Sequence, residues 1–448
     1  MKYTILKGNS YIKNNYQKIN FTYRLKYHFE PLIGWINDPN GLVYYNDEFH
    51  LFYQYYPYDS KWGPMHFGHV SSKNLLFFTD LGIALAPDRY DETGCFSGGA
   101  INVGKDLVIT YTRHFDDGKE CFENVALAKS IDGINFQKTE VVFDNNSLPS
   151  YISRNDFRDP FPIYINGMYY VLVGAKNVIQ NKGMIVILKG ISLDKLEYHF
   201  AIEPIDEFGK MCECPSFFRN NDVDYLIWSS INVKQKGNDY KKTHSSVGAI
   251  CHIDFEEKKY SFINIQELDK GDAFYAPEFI NCYHKPVMIG WMDTWNKEYY
   301  TDKFNHGYAG AFNLPRTLEL RDNSLYQKPF ILKNDWKEID EIKKSCLLKI
   351  CGNKFIIKIV GDNGNVSFGN DENGFYLNTY SSNNLNPNIW LSNGKYETVN
   401  LLVFLDTTSI EIFINDGKEV ISSRIFIDGI YSMLKEGSAD IKIYKIGV

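Results

Sequence analysis

The sequence predicts an all-β protein, a five-bladed β-propeller followed by a C-terminal β-sandwich. Three observations carry that reading: a strand motif that recurs five times, an aromatic-rich composition, and a change of rhythm past Arg321. In the repeat, a short polar turn leads each time into β-branched and aromatic residues. Asn46-Asp47 precedes His50-Leu-Phe-Tyr-Gln, Gly104-Lys105 precedes Leu107-Val-Ile-Thr-Tyr, and Asn166-Gly167 precedes Tyr169-Tyr-Val-Leu-Val. Asn220-Asn-Asp precedes Tyr225-Leu-Ile-Trp-Ser, and His284-Lys285 precedes Val287-Met-Ile-Gly-Trp. With Phe52, Ile109, Leu172, Ile227 and Ile289 as strand centres, the steps are 57, 63, 55 and 62 residues, room for four strands and their turns. Such units bury their faces only against one another, and radial closure leaves short, protected edges. A large sandwich is the competing arrangement of evenly spaced strands.

The composition agrees. Of 448 residues, 44% are hydrophobic, 16% aromatic and 23% charged, which excludes a disordered chain and favours pleated surfaces on which aromatic and β-branched side chains pack. That length exceeds one ordinary core and suggests a large domain with a smaller companion. After Arg321 a Lys- and Asn-rich passage from Lys333 to Lys344 reads as a linker. Beyond it, Asn400-Leu-Leu-Val-Phe-Leu is a continuous apolar run, and Ser409-Ile-Glu-Ile-Phe-Ile alternates up to an Asp-Gly turn, as strands of a sandwich do. The expected domains are therefore 1–325 and 326–448.

A net charge of -7 offers nucleic acid no basic surface. No run approaches the roughly 18 apolar residues of a membrane span, and Met1 to Ser10 lacks the apolar stretch of a secretory signal. The expectation is a cytoplasmic protein with reduced thiols, without nucleic acid or membrane partners; a neutral sugar suits its charge. The eight cysteines, Cys282 among them, are scattered, and Cys212-x-Cys214 without a second pair gives no metal centre. No oligomeric state follows from the sequence.

Chemistry concentrates in a few motifs. Trp35-Ile-Asn-Asp-Pro-Asn-Gly read alone is a turn. Its company differs: Gln54 in Phe52-Tyr-Gln-Tyr, then Trp62-Gly-Pro-Met-His, then Phe96-Ser-Gly-Gly set polar groups among aromatic faces, which a sugar ring requires of a site. Arg158-Asp-Pro sets a guanidinium beside a carboxylate, either an ion pair closing a turn or a carboxylate kept ionised to accept hydrogen bonds from sugar hydroxyls. Cys212-Glu-Cys-Pro sets Glu213 in an apolar, sulfur-flanked stretch, where desolvation favours the uncharged form a proton donor needs.

With these motifs in order, and with Gly68-His, Ala84-Leu-Ala-Pro-Asp, Phe274-Tyr-Ala-Pro-Glu, Gly290-Trp and Leu314-Pro-Arg completing the series, the chain resembles glycoside hydrolase family 32, the invertases, fructanases and sucrose-6-phosphate hydrolases. The resemblance runs nearly end to end and implies the same propeller and sandwich. It implies retaining hydrolysis of a terminal β-fructofuranosyl bond, with Asp38 as nucleophile, Asp159 as transition-state stabiliser and Glu213 as acid and base. Asn37, Gln54, Trp62, Phe96, Ser97, Arg158, Trp291 and Trp295 would line the fructosyl pocket. No metal or organic cofactor enters such a reaction. A fructosyltransferase using the same intermediate and an inactive sugar-binding propeller are the alternatives.

The chain also departs from that pattern. Cys212 stands where Trp is common, Ser216 where Asp is frequent, and Arg113-His114 where Gly-Asn often follows Tyr-Thr. Arg113 and His114 would add positive charge beside the leaving group and could receive the phosphate of sucrose 6-phosphate; the competing reading is a solvated loop pair.

Overall fold

The computed structural model describes residues 3–220, 223–280, 285–331, 336–381 and 384–446. Cys282, His284 and the first part of the expected linker, 333–335, lie outside the described residues. Five antiparallel sheets follow one another along the propeller. Their second strands are Glu48–Tyr56, Asp106–Asp116, Met168–Asn177, Val223–Ile231 and Val287–Trp291, the five elements of the sequence repeat in order. These strands are the most recognisable because both faces are buried, as in Phe52, Ile109, Leu172, Ile227 and Ile289. Their clusters pack blade on blade: Phe161, Leu172 and Ile187 of blade 3 join Phe217, Leu226 and Val247 of blade 4 in one core.

The innermost strands, which line the channel, are Gly34–Tyr45, Ile152–Ile165, Met211–Asn220 and Tyr275–Phe279 in blades 1, 3, 4 and 5. In blade 2 that place is taken by two short pieces, Gly94–Phe96 and Ala100–Val103, both paired with Asp106–Asp116. The ring is closed by the chain itself. After Val287–Trp291 it crosses to blade 1, lays Tyr308–Ala309 parallel to Gly34 and Trp35, and returns to blade 5 as Arg316–Arg321. A helix absent from the sequence reading, Ile5–Asn15, covers the outer edge of blade 1, with the Asn9 side chain accepting from the Ile83 N–H at 3.0 Å. Covering an edge removes a template for unwanted pairing.

The outermost strand of blade 5 is Ser324–Pro329, so the expected boundary at 325/326 falls inside it. Leu325 and Gln327 are buried there: Leu325 packs on the blade 4 core, and Gln327 Nε2 donates to the Leu268 carbonyl. The C-terminal sandwich turns around the 16-residue strand Cys346–Gly361, which pairs with Val399–Asp406 and Gly364–Asp371 on one edge and with Ser432–Lys445 on the other. One core unites its layers, including Leu348, Ile357, Phe368, Val403, Ile412 and Ile443. Among the described residues no helix is long and apolar enough to cross a membrane.

The sandwich docks on blades 4 and 5 through a buried polar seam. Arg316 pairs with Asp269 and Glu411, and His28 lies between Asp406 and Glu411 at 2.9 Å from each.

Candidate active site

Each innermost strand breaks register opposite the residues just after a repeat centre: between Ile36 and Pro39, Arg158 and Phe161, Glu213 and Ser216, and Tyr275 and Glu278. The break holds Asp38-Pro39, Asp159-Pro160, Cys214-Pro215 and Ala276-Pro277, while blade 2 is interrupted by Ser97-Gly98-Gly99. A bulge re-aims a side chain, and proline, lacking an N–H, sits where the ladder is already interrupted. Asp159, Cys214 and Ala276 adopt φ of 66, 47 and 48°, left-handed backbone that costs such residues about 1–3 kcal/mol each. Hydrogen bonds hold all three: the Asp159 N–H donates to Thr112 Oγ1 (2.8 Å), that of Cys214 to Asp159 Oδ2 (2.9 Å) and that of Ala276 to Ser229 Oγ (2.9 Å). Gly98 is required sterically, since a Cβ there would lie 2.0 Å from the Thr110 carbonyl oxygen.

The breaks converge three carboxyl groups. Ser97 Oγ donates to Asp38 Oδ2 at 2.7 Å, and the Cys214 thiol lies 3.6 Å from that oxygen and 3.4 Å from Asp159 Oδ2, bridging the two aspartates. The second oxygen of Asp38, Oδ1, is buried and has no hydrogen-bond partner among the described residues. Glu213 takes Arg158 Nη2 on Oε1 (2.8 Å) and the Tyr275 hydroxyl on Oε2 (2.6 Å). Burial pushes Asp38 up to about 6, against hydrogen bonds from Ser97 and Asn37. It pushes Asp159 up to about 8, with Arg158 opposing and Glu213 and Asp38 adding repulsion. The expected carboxylate kept ionised by Arg158 is therefore corrected: the guanidinium is directed to Glu213 and Glu123, and burial governs Asp159. The apolar, sulfur-flanked setting expected for Glu213 is corrected too. Cys212 turns into the core between blades 3 and 4, Cys214 faces the aspartates, and Glu213 is held by an arginine and a phenol.

Around this trio the expected binding residues separate by role. Asn37 accepts from Trp35 Nε1 at 2.8 Å and stands beside Asp38. Gln54 is buried behind the channel wall, donating to Asn40 Oδ1 and the Cys95 carbonyl. Phe96 borders the site and Trp62, 50% exposed, meets it edge to face at 6.0 Å. Trp295 is partly open and stacks on Trp35 at 5.9 Å. Trp291 is fully buried behind both, so it backs the aromatic wall.

Arg113 and His114 point to opposite sides of the strand Asp106–Asp116. Arg113 is buried and ion-paired to Asp91, with Glu140 at 3.9 Å, so neither the phosphate role nor the solvated loop describes it. His114 stacks on Phe96 at 3.9 Å and 8° and approaches Glu123 at 3.4 Å. Sequence reasoning quoted Tyr275 and Glu278 within Phe274-Tyr-Ala-Pro-Glu but gave them no role, and it missed Glu123. Glu278, buried in the channel, accepts from the N–H groups of Gly41 and Leu42 just past Asp38, at 2.9 and 3.2 Å. The recurring residue-proline step would have pointed to Tyr275 and Glu278, which flank Ala276-Pro277 as Arg158 flanks Asp159-Pro160.

The geometry agrees with known proteins. The glycosyl hydrolases family 32 N-terminal domain matches residues 28–329 and the family's C-terminal domain matches 355–447. A sucrose-6-phosphate hydrolase of Escherichia coli is 31% identical over 441 residues, covering 90% of each chain. A Bombyx mori GH32 beta-fructofuranosidase superposes with a TM-score of 0.86 at 32% identity, over 99% of this chain and 98% of that one. A variant of that enzyme, in complex with sucrose, superposes with a TM-score of 0.84 at the same identity and coverage. The sucrose-6-phosphate hydrolase of Lactobacillus gasseri shares the fold at a TM-score of 0.87 and 24% identity, over 100% and 99% of the two chains. With family models matching both the propeller and the sandwich, this chain belongs to glycosyl hydrolases family 32 and is a glycoside hydrolase.

Proposed function

We propose that this enzyme hydrolyses terminal β-fructofuranosides with retention, with sucrose or its 6-phosphate as substrate, and that the propeller through Pro329 is its catalytic unit. The observation that carries the reading is Asp38: a recessed carboxylate with one oxygen fixed by Ser97 and the other without a hydrogen-bond partner among the described residues. Asp38 attacks the anomeric carbon as the bond to the departing oxygen breaks, and Glu213 gives that oxygen its proton. The product is a fructosyl ester of Asp38. Glu213, now a carboxylate, then takes a proton from water, the hydroxide oxygen bonds to the anomeric carbon, and Asp38 leaves. Asp159 meets the ring hydroxyls. Its pKa is raised by burial first and by repulsion from Glu213 and Asp38 second, and bound hydroxyl donors would favour its ionised form. Tyr275 and Arg158 orient Glu213.

Phosphate recognition receives no support from Arg113, whose charge is matched by Asp91 and Glu140. Fructose release from sucrose and from sucrose 6-phosphate tests the reading. Wild type should release fructose, and Asp38→Ala and Glu213→Ala should lose about 10³-fold or more in kcat. Fructose release by Asp38→Ala at the wild-type rate would overturn the assignment. Growing oligosaccharides at high sucrose would replace hydrolysis by fructosyl transfer.

A further inference from the structure

The acid and base of this site ends a chain of alternating charge that runs into blade 2. Tyr275 donates to Glu213 Oε2, and Arg158 holds Glu213 Oε1 through Nη2 and Nε. The remaining guanidinium nitrogen, Nη1, donates to Glu123 Oε2 at 3.2 Å. Glu123 is 2% exposed, and the Phe157 N–H donates to the same oxygen at 3.0 Å. Its other oxygen, Oε1, lies 3.4 Å from Nδ1 of His114, whose ring lies flat on Phe96, the neighbour of Ser97. Phe96 and Ser97 belong to the nucleophile side, so His114 joins both halves of the site.

A lone guanidinium against a proton donor favours its carboxylate and works against giving the proton up. A second carboxylate on the far side of that guanidinium divides its charge. We propose that Glu123 and His114 are positioning residues for proton transfer, Glu123 by sharing Arg158 with Glu213, and His114 by fixing Glu123 and pinning Phe96 against the nucleophile side. The proposal rests on the fructofuranosidase reading above. Neither substitution alters the identity of the other charged and titratable groups around this chain. They are Asp156, 3.9 Å from Arg158, Cys121 near Glu123, and His244 against the Tyr275 ring, with Asp38, Asp159, Cys212 and Cys214 around Glu213.

The test compares two fructosyl donors on the purified enzyme. Sucrose needs its departing oxygen protonated, whereas β-fructofuranosyl fluoride expels an anion that needs little help from an acid. Glu123→Gln should lose about 30-fold in kcat/KM on sucrose and less than about threefold on the fluoride, with the basic limb of the sucrose pH profile moved by about one unit. His114→Phe keeps the ring stack without the Glu123 contact, and should show the same selective loss at about a third of that size on a logarithmic scale. Equal losses on both donors, or an unmoved basic limb, would overturn the role of Glu123. Wild-type behaviour of His114→Phe would overturn that of His114, and this partly accessible position serves if Glu123→Gln does not fold. Wild type inactive on both donors would overturn the fructofuranosidase reading itself, a result distinct from an active wild type with unresponsive variants.

Discussion

Two buried charge clusters sit in this molecule, one in the channel and one at the seam between propeller and sandwich, and their carboxyl groups respond to burial in opposite ways. At the seam, Glu411 receives His28 Nε2, Arg316 Nη2, the Leu314 N–H and Asn313 Nδ2. Burial opposes its charge, but Arg316 and His28 prevail and hold it at about 2. In the channel, Asp159 is buried and Asp38 partly so, with fewer donors and with one another and Glu213 as neighbours, and desolvation takes Asp38 to about 6 and Asp159 to about 8. Burial is common to both; the supply of donors differs. The donors missing from the channel are those a sugar's hydroxyls bring, so the channel holds in reserve the interactions that the seam has already made.

This contrast can be broken by exchanging the character of the two clusters. The largest effect is expected from Asp159→Asn, which removes a buried, repelled carboxyl group. kcat/KM should fall about 10³-fold while the folded state gains stability, a trade common at functional sites. The sign follows from the raised pKa: Asp159 contributes stability at low pH that is lost as pH rises through about 8, so the gain on substitution should be greatest above that value in urea unfolding. A variant no more stable than wild type at pH 9 would remove the claim of stored repulsion.

Next in size is Arg316→Met. It leaves Asp269 buried without its cation and Glu411 with His28 alone, and about 3–5 kcal/mol of stability should go, with the kcat of the folded fraction retained. A loss below about 1 kcal/mol would show that the seam relaxes around the change. The seam should also reveal itself by pH. Burial lowers the His28 pKa, but Asp406 and Glu411 raise it to about 9. Its contribution is therefore whole below the ordinary value of 6.5, declines above it, and is gone once pH exceeds about 9. That decline, of order 3 kcal/mol, should be absent in His28→Gln. Glu411, with its pKa lowered to about 2, adds the mirror image, present above the ordinary 4.5 and lost as pH falls through about 2.

Smaller again is the acid limb of turnover. With Asp38 at about 6, kcat/KM on sucrose should fall tenfold per unit below roughly that pH, as the nucleophile takes up a proton. The smallest effect belongs to the rim. Trp62 is half exposed and touches Phe96 only by its edge, so Trp62→Ala should raise KM about tenfold or less and leave kcat nearly unchanged.

Much of this molecule was legible in its sequence because strand burial is periodic. The five repeats fall on the five second strands, whose two buried faces demand unbroken apolar runs. The motifs around Asp38, Arg158-Asp159 and Glu213 stood out in the sequence only by their order and resemblance, and the structure sets them at register breaks beside proline. The helix Ile5–Asn15 was not legible, since only Gly8 and Ile12 of it are buried and a weak apolar stripe carries little periodic signal. The expected boundary at 325/326 falls inside Ser324–Pro329, whose polar side chains give little sign in the sequence that the strand pairs with Arg316–Arg321.

The sequence by itself determined the number of blades, because the strand repeat leaves a pattern of spacing, and the family, through the order of its motifs; the three carboxyl groups were singled out only by that resemblance. Only the tertiary structure decided how those groups are charged and partnered. Arg158 lies beside Asp159 in sequence yet serves Glu213 and Glu123, and Arg113 and His114 are neighbours that part to opposite faces of one strand. The physical reason is that a strand sends successive side chains to opposite faces and a bulge resets that alternation, so Arg158 finds its charge partners across blades, 35 and 55 positions away.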